Sequence, residues 1–304
     1  MRASERTWDA GRPVDLAATL GPLFRGTGDP AHRRDPDGRF WWAALTPAGD
    51  GTLSLAAAAP GVVHAQAWGP GAGWLLDRLP TLLGADDDWS GLDVSAVPTL
   101  RDVPRRRRGL RLVSTGLVMD ALVPAVLEQK VTGLEARRAW RALLHRHGTP
   151  APGPRPGLRV PPGPRTLLDV PTWDWHRFGV DLKRQRTIRA AASVANRLEE
   201  TGAMSPAAAI ARLQLVPGIG LWTAAETAQR AMGHPDAVSV GDYHLPSAVV
   251  YAFTGRRRGT DEEMLELLAP WAGQRQRVMR LVEACGAAPP RHGPRFNFTD
   301  IRKI

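Results

Sequence analysis

Between Leu215 and Leu245 the chain reads LVPGIGLWTAAETAQRAMGHPDAVSVGDYHL, and no other stretch constrains its fold so tightly. Pro217 ends a helix, because its ring removes a backbone donor and clashes with the preceding turn. Gly218 and Gly220 bracket a single Ile219, and glycine lets a backbone bend sharply and approach a ligand closely. A second helix opens near Leu221, and a turn of small residues then delivers one carboxylate, Asp242. Bare amides at a helix N-terminus form a natural seat for phosphate. A phosphate seat with a lone acid farther along suggests a DNA-binding device with chemistry attached.

The rest of the composition narrows the class. With 304 residues, 43% hydrophobic and 23% charged, the chain matches a globular protein of a few domains. A net charge of +10 favours a polyanionic partner. Of 40 basic residues, however, only Lys130, Lys183 and Lys303 are lysine. Such an arginine bias, alongside abundant Ala, Gly and Pro, suggests GC-rich coding, so basicity alone does not decide the partner. The single Cys285 excludes an internal disulfide and a four-cysteine iron–sulfur cluster. The eight histidines show neither HxxxH nor CxxC-type spacing, which argues against bound zinc. No apolar run is long enough to span a bilayer. The opening MRASERTWDAGRP lacks the apolar stretch of a secretion signal. These features lead us to expect a cytoplasmic, nucleoid-associated protein.

Residues 1–105 form one compositional unit. Phe40–Leu45, Gly51–Leu55 and Val62–Trp68 are expected as strands, with Pro47–Gly51 as a turn and a helical stretch from Pro70 to Leu83. The run Arg105–Arg108 marks a boundary or an exposed turn. From about residue 110 to about 290 the pattern is mostly helical. Apolar spacing predicts helix within Leu117–His145, Thr187–Leu198, Pro206–Leu213, Pro246–Phe253, Asp261–Leu268 and Arg275–Ala284. Gly148–Pro164 is too proline-rich for helix or central strand. The basic tail from Pro289 is irregular, with Phe296 and Phe298 expected to pack. The fold class expected is mainly α with an N-terminal α+β domain (1–105) and a helical region (106–304) of two subdomains around a cleft.

Val216-Pro217-Gly218-Ile219-Gly220 and Val240-Gly241-Asp242-Tyr243-His244 resemble the hallmark of the helix-hairpin-helix DNA glycosylase superfamily, a hairpin L-P-G-[IV]-G followed by an aspartate. LVMDALVPAVLEQKVTGLEARRA, from Leu117 to Ala139, is similar to the F-E-x-x-x-x-x-I-L-x-Q-x-V-S segment of the bacterial 3-methyladenine DNA glycosylase II (AlkA-like) proteins. An α+β domain ahead of the helices also fits that branch. The resemblance covers essentially the whole chain, is strongest over 117–135 and 213–245, and is loose in residues 1–100.

The resemblance implies roles for particular residues. Asp242 would be the catalytic acid, stabilising oxocarbenium character in the sugar or orienting water as an N-glycosidic bond breaks. A place at the start of the helix from Tyr243 would favour an anion there. Glu226, the rival carboxylate, is expected to be structural, as a surface or helix-dipole acid. Trp222 stands where strand-cutting relatives carry a Schiff-base lysine. An indole forms no imine, which points to a monofunctional enzyme. Trp222 would instead line the base pocket, where an indole face attracts a cationic base with roughly 0.5–2 kcal/mol. Tyr243 would wall that pocket. His244 and Trp271 read as structural or packing groups.

Backbone phosphate would be bound by the amides of Gly218, Gly220 and Trp222, with Thr223 contributing its hydroxyl. Carbonyls of Leu215, Val216 and Ile219 would hold a monovalent cation, Na+ or K+, and no other cofactor is required. Extruding a base leaves a gap that an inserted side chain fills. Lys130 occupies the matching wedge position, with Gln129 beside it bracing the backbone. The chain departs from the family at Arg280, where an aromatic second face of the pocket is usual. The expected partner is double-stranded DNA with a damaged base, bound by a monomer, and the expected substrate an alkylated purine. A different lesion, or lesion binding without turnover, is the alternative.

Overall fold

The computed structural model describes residues 2–287 and 289; Phe296 and Phe298 lie outside them. The N-terminal part is a five-stranded antiparallel sheet of β1 (Ser4–Asp9), β2 (His32–Arg34), β3 (Phe40–Thr46), β4 (Gly49–Ala59) and β5 (Val62–Trp68), in the order β1-β5-β4-β3-β2. A short helix, α1 (Leu16–Leu20), precedes β2. The β3–β4 hairpin turns earlier than its sequence suggests. Gly49 adopts φ +110, closing the turn at once, so Asp50 and Gly51 pair with Leu45 and Ala44 as strand residues. Both outer strands escape the sequence reading, because an edge strand needs no apolar alternation. β1 is mostly polar SERTWD, and β2 is three residues long.

Helices α2 (Ala72–Asp77) and α3 (Leu79–Leu82) cover one sheet face, burying Trp42, Leu53, Leu55, Leu75 and Leu79. On the other face Trp41 and Trp68 stack at 5.6 Å and pack with Leu158 and Val160 of the proline-rich connector. That connector is therefore a cover for the sheet, pinned by pairing of Thr149–Pro150 with Arg159–Val160.

The remaining chain is helical: α4 (Val103–Arg106), α5 (Val118–Leu127), α6 (Gly133–His147), α7 (Pro164–Asp169), α8 (Thr172–Phe178), α9 (Leu182–Ser193), α10 (Ala195–Glu199), α11 (Pro206–Gln214), α12 (Leu221–Ala231), α13 (Leu245–Thr254), α14 (Asp261–Leu268) and α15 (Arg275–Cys285). α7 begins on the last proline of the connector, since proline suits the first helical position. α6 starts on a full capping box, with Thr132 and Glu135 bonding each other's backbone.

Two helical cores result. One joins α5, α6, α8, α9 and α12 through residues such as Leu122, Trp140, Trp175 and Ile188. The other joins Val94–Leu110 to α13, α14 and α15 through Leu100, Val249, Met264 and Val278. The boundary expected at residue 105 thus falls inside a packed unit. The chain begins the second core, leaves to build the first, and returns through the loop from Met232 to His244. No helix among the described residues is long and apolar enough to cross a membrane.

Candidate active site

The hairpin joins α11 to α12. Gly218 takes φ +92, and a side chain there would collide with the Thr187 hydroxyl of α9. Position 218 is therefore restricted to glycine on two counts. Gly220 is extended and caps α12 with open space around its Cα, leaving its amide unshielded. Both glycines are exposed, while Val216 and Ile219 anchor the hairpin in the first core. Leu215 and Leu221 stand out in solvent on its rim.

Gln129 braces this bend from the α5–α6 turn. Its amide donates to the Gly218 carbonyl at 3.0 Å and to the Thr223 hydroxyl at 2.8 Å. Thr223 is buried, so its hydroxyl faces Gln129 and the exposed donors of the hairpin are the glycine amides. Lys130, next in the chain, is exposed and has φ +53, the one non-glycine residue with positive φ among those described. That conformation costs free energy, and such residues gather at functional sites. It carries the lysine clear of both flanking helices. Lys183 lies one helical turn before Thr187, so both described lysines flank the hairpin.

Asp242 lies between the two helical cores, three residues ahead of α13. Its Oδ1 accepts the amides of His244 at 2.7 Å and Leu245 at 2.8 Å, which makes it the cap of α13 in function. The helix opens at Leu245, one residue before the Pro246 start that apolar spacing suggests and two after Tyr243. Oδ2 accepts the Trp222 indole N–H at 3.0 Å. The carboxylate is half-buried. Tyr243 is 67% exposed and meets the His244 ring edge-on at 4.8 Å, so both point outward beside the acid.

One face of α12 fixes the loop that carries Asp242. Trp222, Glu226, Gln229 and Arg230 recur at helical spacing, and each contributes. Gln229 donates to the Ala237 carbonyl and the Ser239 hydroxyl, both at 3.0 Å. The Ser239 hydroxyl donates to Glu226 at 2.5 Å, and the Ser239 carbonyl accepts the Asp242 amide at 3.2 Å. Arg230 binds the other Glu226 oxygen at 2.7 Å and the Pro22 carbonyl at 3.0 Å. Burial pushes the Arg230 guanidinium down, but Glu226 leads the neighbours that hold it above its usual value. Glu226 is thus an interior clamp between α12 and the loop, where the sequence suggested a surface or helix-dipole acid. Its spacing from Trp222 is visible in sequence; its partner Ser239 is not.

Arg280, at the position of the expected missing aromatic, donates to the Ala18 carbonyl at 2.6 Å and pairs with Glu283. It ties α15 to α1. Trp271 donates to the Asp93 carbonyl at 2.7 Å and packs against Phe253, a structural role. Tyr251 lies along α13, half-buried. Among the described residues no group of three or more His, Cys, Asp or Glu could hold a metal ion.

Solved structures share this architecture. A 3-methyladenine DNA-glycosylase from Archaeoglobus fulgidus matches with a TM-score of 0.74 at 16% identity, over 92% of this chain and 98% of that one. The Clostridium acetobutylicum 8-oxoguanine glycosylase/lyase, in complex with double-stranded DNA containing cytosine opposite 8-oxoG, matches at 0.67 and 11% identity, over 92% and 97%. The Schizosaccharomyces pombe 3-methyladenine DNA glycosylase, in complex with abasic DNA, matches at 0.51 and 19% identity, over 64% and 91%. No family model and no curated protein matches the chain. The chain has the fold of the helix-hairpin-helix DNA glycosylases, with the small N-terminal sheet included.

Proposed function

We propose that this protein is a monofunctional DNA glycosylase that hydrolyses the N-glycosidic bond of alkylated purines, of the 3-methyladenine type, extruded from duplex DNA. The observation that carries this reading is the Asp242 carboxylate. Three donors hold it beside a glycine-pinched hairpin. A fixed carboxylate stabilises the positive charge that develops on the sugar as the base departs, and its position costs no reorganisation. The Trp222 N–H that orients Oδ2 occupies the place a lyase would give to an amine, so the abasic site is left for other enzymes.

The hairpin amides of Gly218 and Gly220 bind the backbone of the damaged strand, which positions the duplex without reading sequence. A monovalent cation held by the carbonyls of Leu215, Val216 and Ile219 would add positive charge at the same seat. Val216 gives one lone pair to the Ile219 amide and keeps another for the ion. Lys130 enters the gap left by the base. The protein acts as a monomer within the cell.

The test is release of 3-methyladenine from alkylated duplex DNA, read by mass spectrometry against a panel of oxidised and deaminated lesions. Wild type should release the alkylated purine, and Asp242→Asn should not. Equal release by both would overturn the catalytic assignment. A borohydride-trapped covalent adduct would overturn the monofunctional one, and preference for another lesion would move the substrate class.

A further inference from the structure

Glu128 and Gln129 are neighbours that reach in opposite directions. Gln129 braces the hairpin, while Glu128 accepts the Arg25 guanidinium at 2.9 Å. Arg25 opens a loop that runs along α6 to β2. Gly26 and Gly28 in it take φ +80 and +83, and they pass close to Arg137 and Arg141 of α6. Arg141 donates to the Thr27 carbonyl at 2.9 Å, fixing the loop in place. The Lys130 turn is thus flanked by the hairpin on one side and by this glycine loop on the other.

Between the loop and the edge strand β2 lies a groove of about 400 Å³. Phe24 and Phe40, edge to face at 5.3 Å, line it together with His32. Arg33 and Arg34 also line it, the first half-buried and the second exposed. The guanidinium of neither makes a hydrogen bond or ion pair among the described residues, in a protein whose arginines are widely paired. No carboxylate lines the groove. The nearest acids are already committed, Asp29 to His32, Asp35 to Arg155 and Asp37 to Arg39. Arg137, exposed at the start of α6, continues the basic track toward Lys130.

We propose that this groove receives the DNA strand complementary to the one held by the hairpin, with Arg33 and Arg34 on its phosphates and Phe24 offering an aromatic face to an unstacked base. The proposal rests on the glycosylase reading above. A duplex with Lys130 in the gap left by an extruded base presents one strand to each side of that residue. Guanidinium groups suit phosphate because their planar fork gives two parallel donors. A stacking surface serves a base that has lost its partner, whatever its identity. The N-terminal domain then contributes to substrate binding and is more than a brace for the helical cores.

The full-length protein is titrated across a salt series with a duplex carrying an abasic-site analogue, and with the analogue strand alone. Arg33→Ala combined with Arg34→Ala should weaken duplex binding about tenfold and lower the slope of log K against log salt by about 2, leaving the single strand unaffected. Arg33→Lys with Arg34→Lys should retain the slope, and Gly218→Ala should weaken both substrates. β2 pairs through its backbone, so the arginine variants should unfold at the wild-type temperature. An unchanged duplex slope in the alanine variant, with base release intact in wild type, overturns the groove and leaves the catalytic reading standing. Equal loss for duplex and single strand overturns the assignment to the complementary strand. An arginine-dependent slope in a protein that releases no base supports the groove and overturns the catalytic reading.

Discussion

Asp29 and Asp242 are both pinned by several donors, and they differ in what is left over. Asp29 sits between the sheet and the first helical core. Its Oδ1 accepts the Ala31 amide and the Trp140 indole, and its Oδ2 accepts the Arg25 amide and faces His32 at 3.0 Å. It is fully buried. An ionised carboxylate offers four lone-pair positions, and Asp29 has given all of them to the protein. Asp242 has given three and remains half-buried. Rigid placement alone therefore does not mark a catalytic acid. Rigid placement with one unspent lone pair is what the role proposed for Asp242 requires.

The comparison is broken most directly at its catalytic end. Asp242→Asn should lower the single-turnover rate of base release by about 10³-fold. The fold should survive, since asparagine caps a helix as well as aspartate does. A variant that retains the rate would make Asp242 a second Asp29. At the structural end, Asp29→Ala should cost about 3 kcal/mol in urea unfolding, because it strands His32, Trp140 and the Arg25 amide in the interior. A loss below about 1 kcal/mol would show that the cluster is not the joint between sheet and helices.

Acid should separate the two sites as well. Burial pushes the Asp29 carboxyl up, but His32, the Arg25 amide and Trp140 outweigh it and hold the group at about 2 against the usual 3.8. A depressed carboxyl contributes stability above its unfolded value and loses it as pH falls through the folded one. About 2 kcal/mol should therefore vanish between about pH 4 and pH 2 in wild type. In Asp29→Asn that step should flatten, as followed by chemical unfolding at each pH.

Smaller effects sharpen the picture. Ser239→Ala removes the link between Glu226 and the Asp242 loop, and it should lower kcat severalfold, about 1 kcal/mol, with DNA affinity unchanged. A change in KM alone would reduce the α12 clamp to a folding element. Asp120 is the converse of Asp29, with one oxygen sealed and unpartnered, and burial raises its carboxyl above the usual range. Such a group costs stability once pH exceeds its unfolded value. Asp120→Asn should be more stable than wild type at neutral pH by about 1 kcal/mol, with the gap closing in acid.

The residues that could be read from the chain are those whose role is local. Pro217, Gly218 and Gly220 declare their bend through backbone sterics. Trp222 and Glu226 share a helix face by spacing alone, and the capping box of Thr132 and Glu135 lies within four residues. The capping contacts of Asp242 are local too, since its two amide donors follow it directly. The N-terminal sheet was harder to read. β1 and β2 lack an apolar pattern, and the segment from Val94 to Val103 was read with the sheet although it packs against helices far along the chain. Glu226 was read as exposed because its partner Ser239 arrives only once the loop from Met232 to His244 folds back.

By itself the sequence determined the hairpin, the acid that follows it and the absence of an amine at position 222. Those depend on torsions and hydrogen bonds within a few residues, which the chain encodes wherever it sits. Only the tertiary structure decided which of 40 basic residues would be spent in ion pairs and which left open beside a groove. It also decided which aspartate would be sealed and which left reachable. A charged side chain's state is set by the dielectric and the partners around it, and those are supplied by segments distant in the chain.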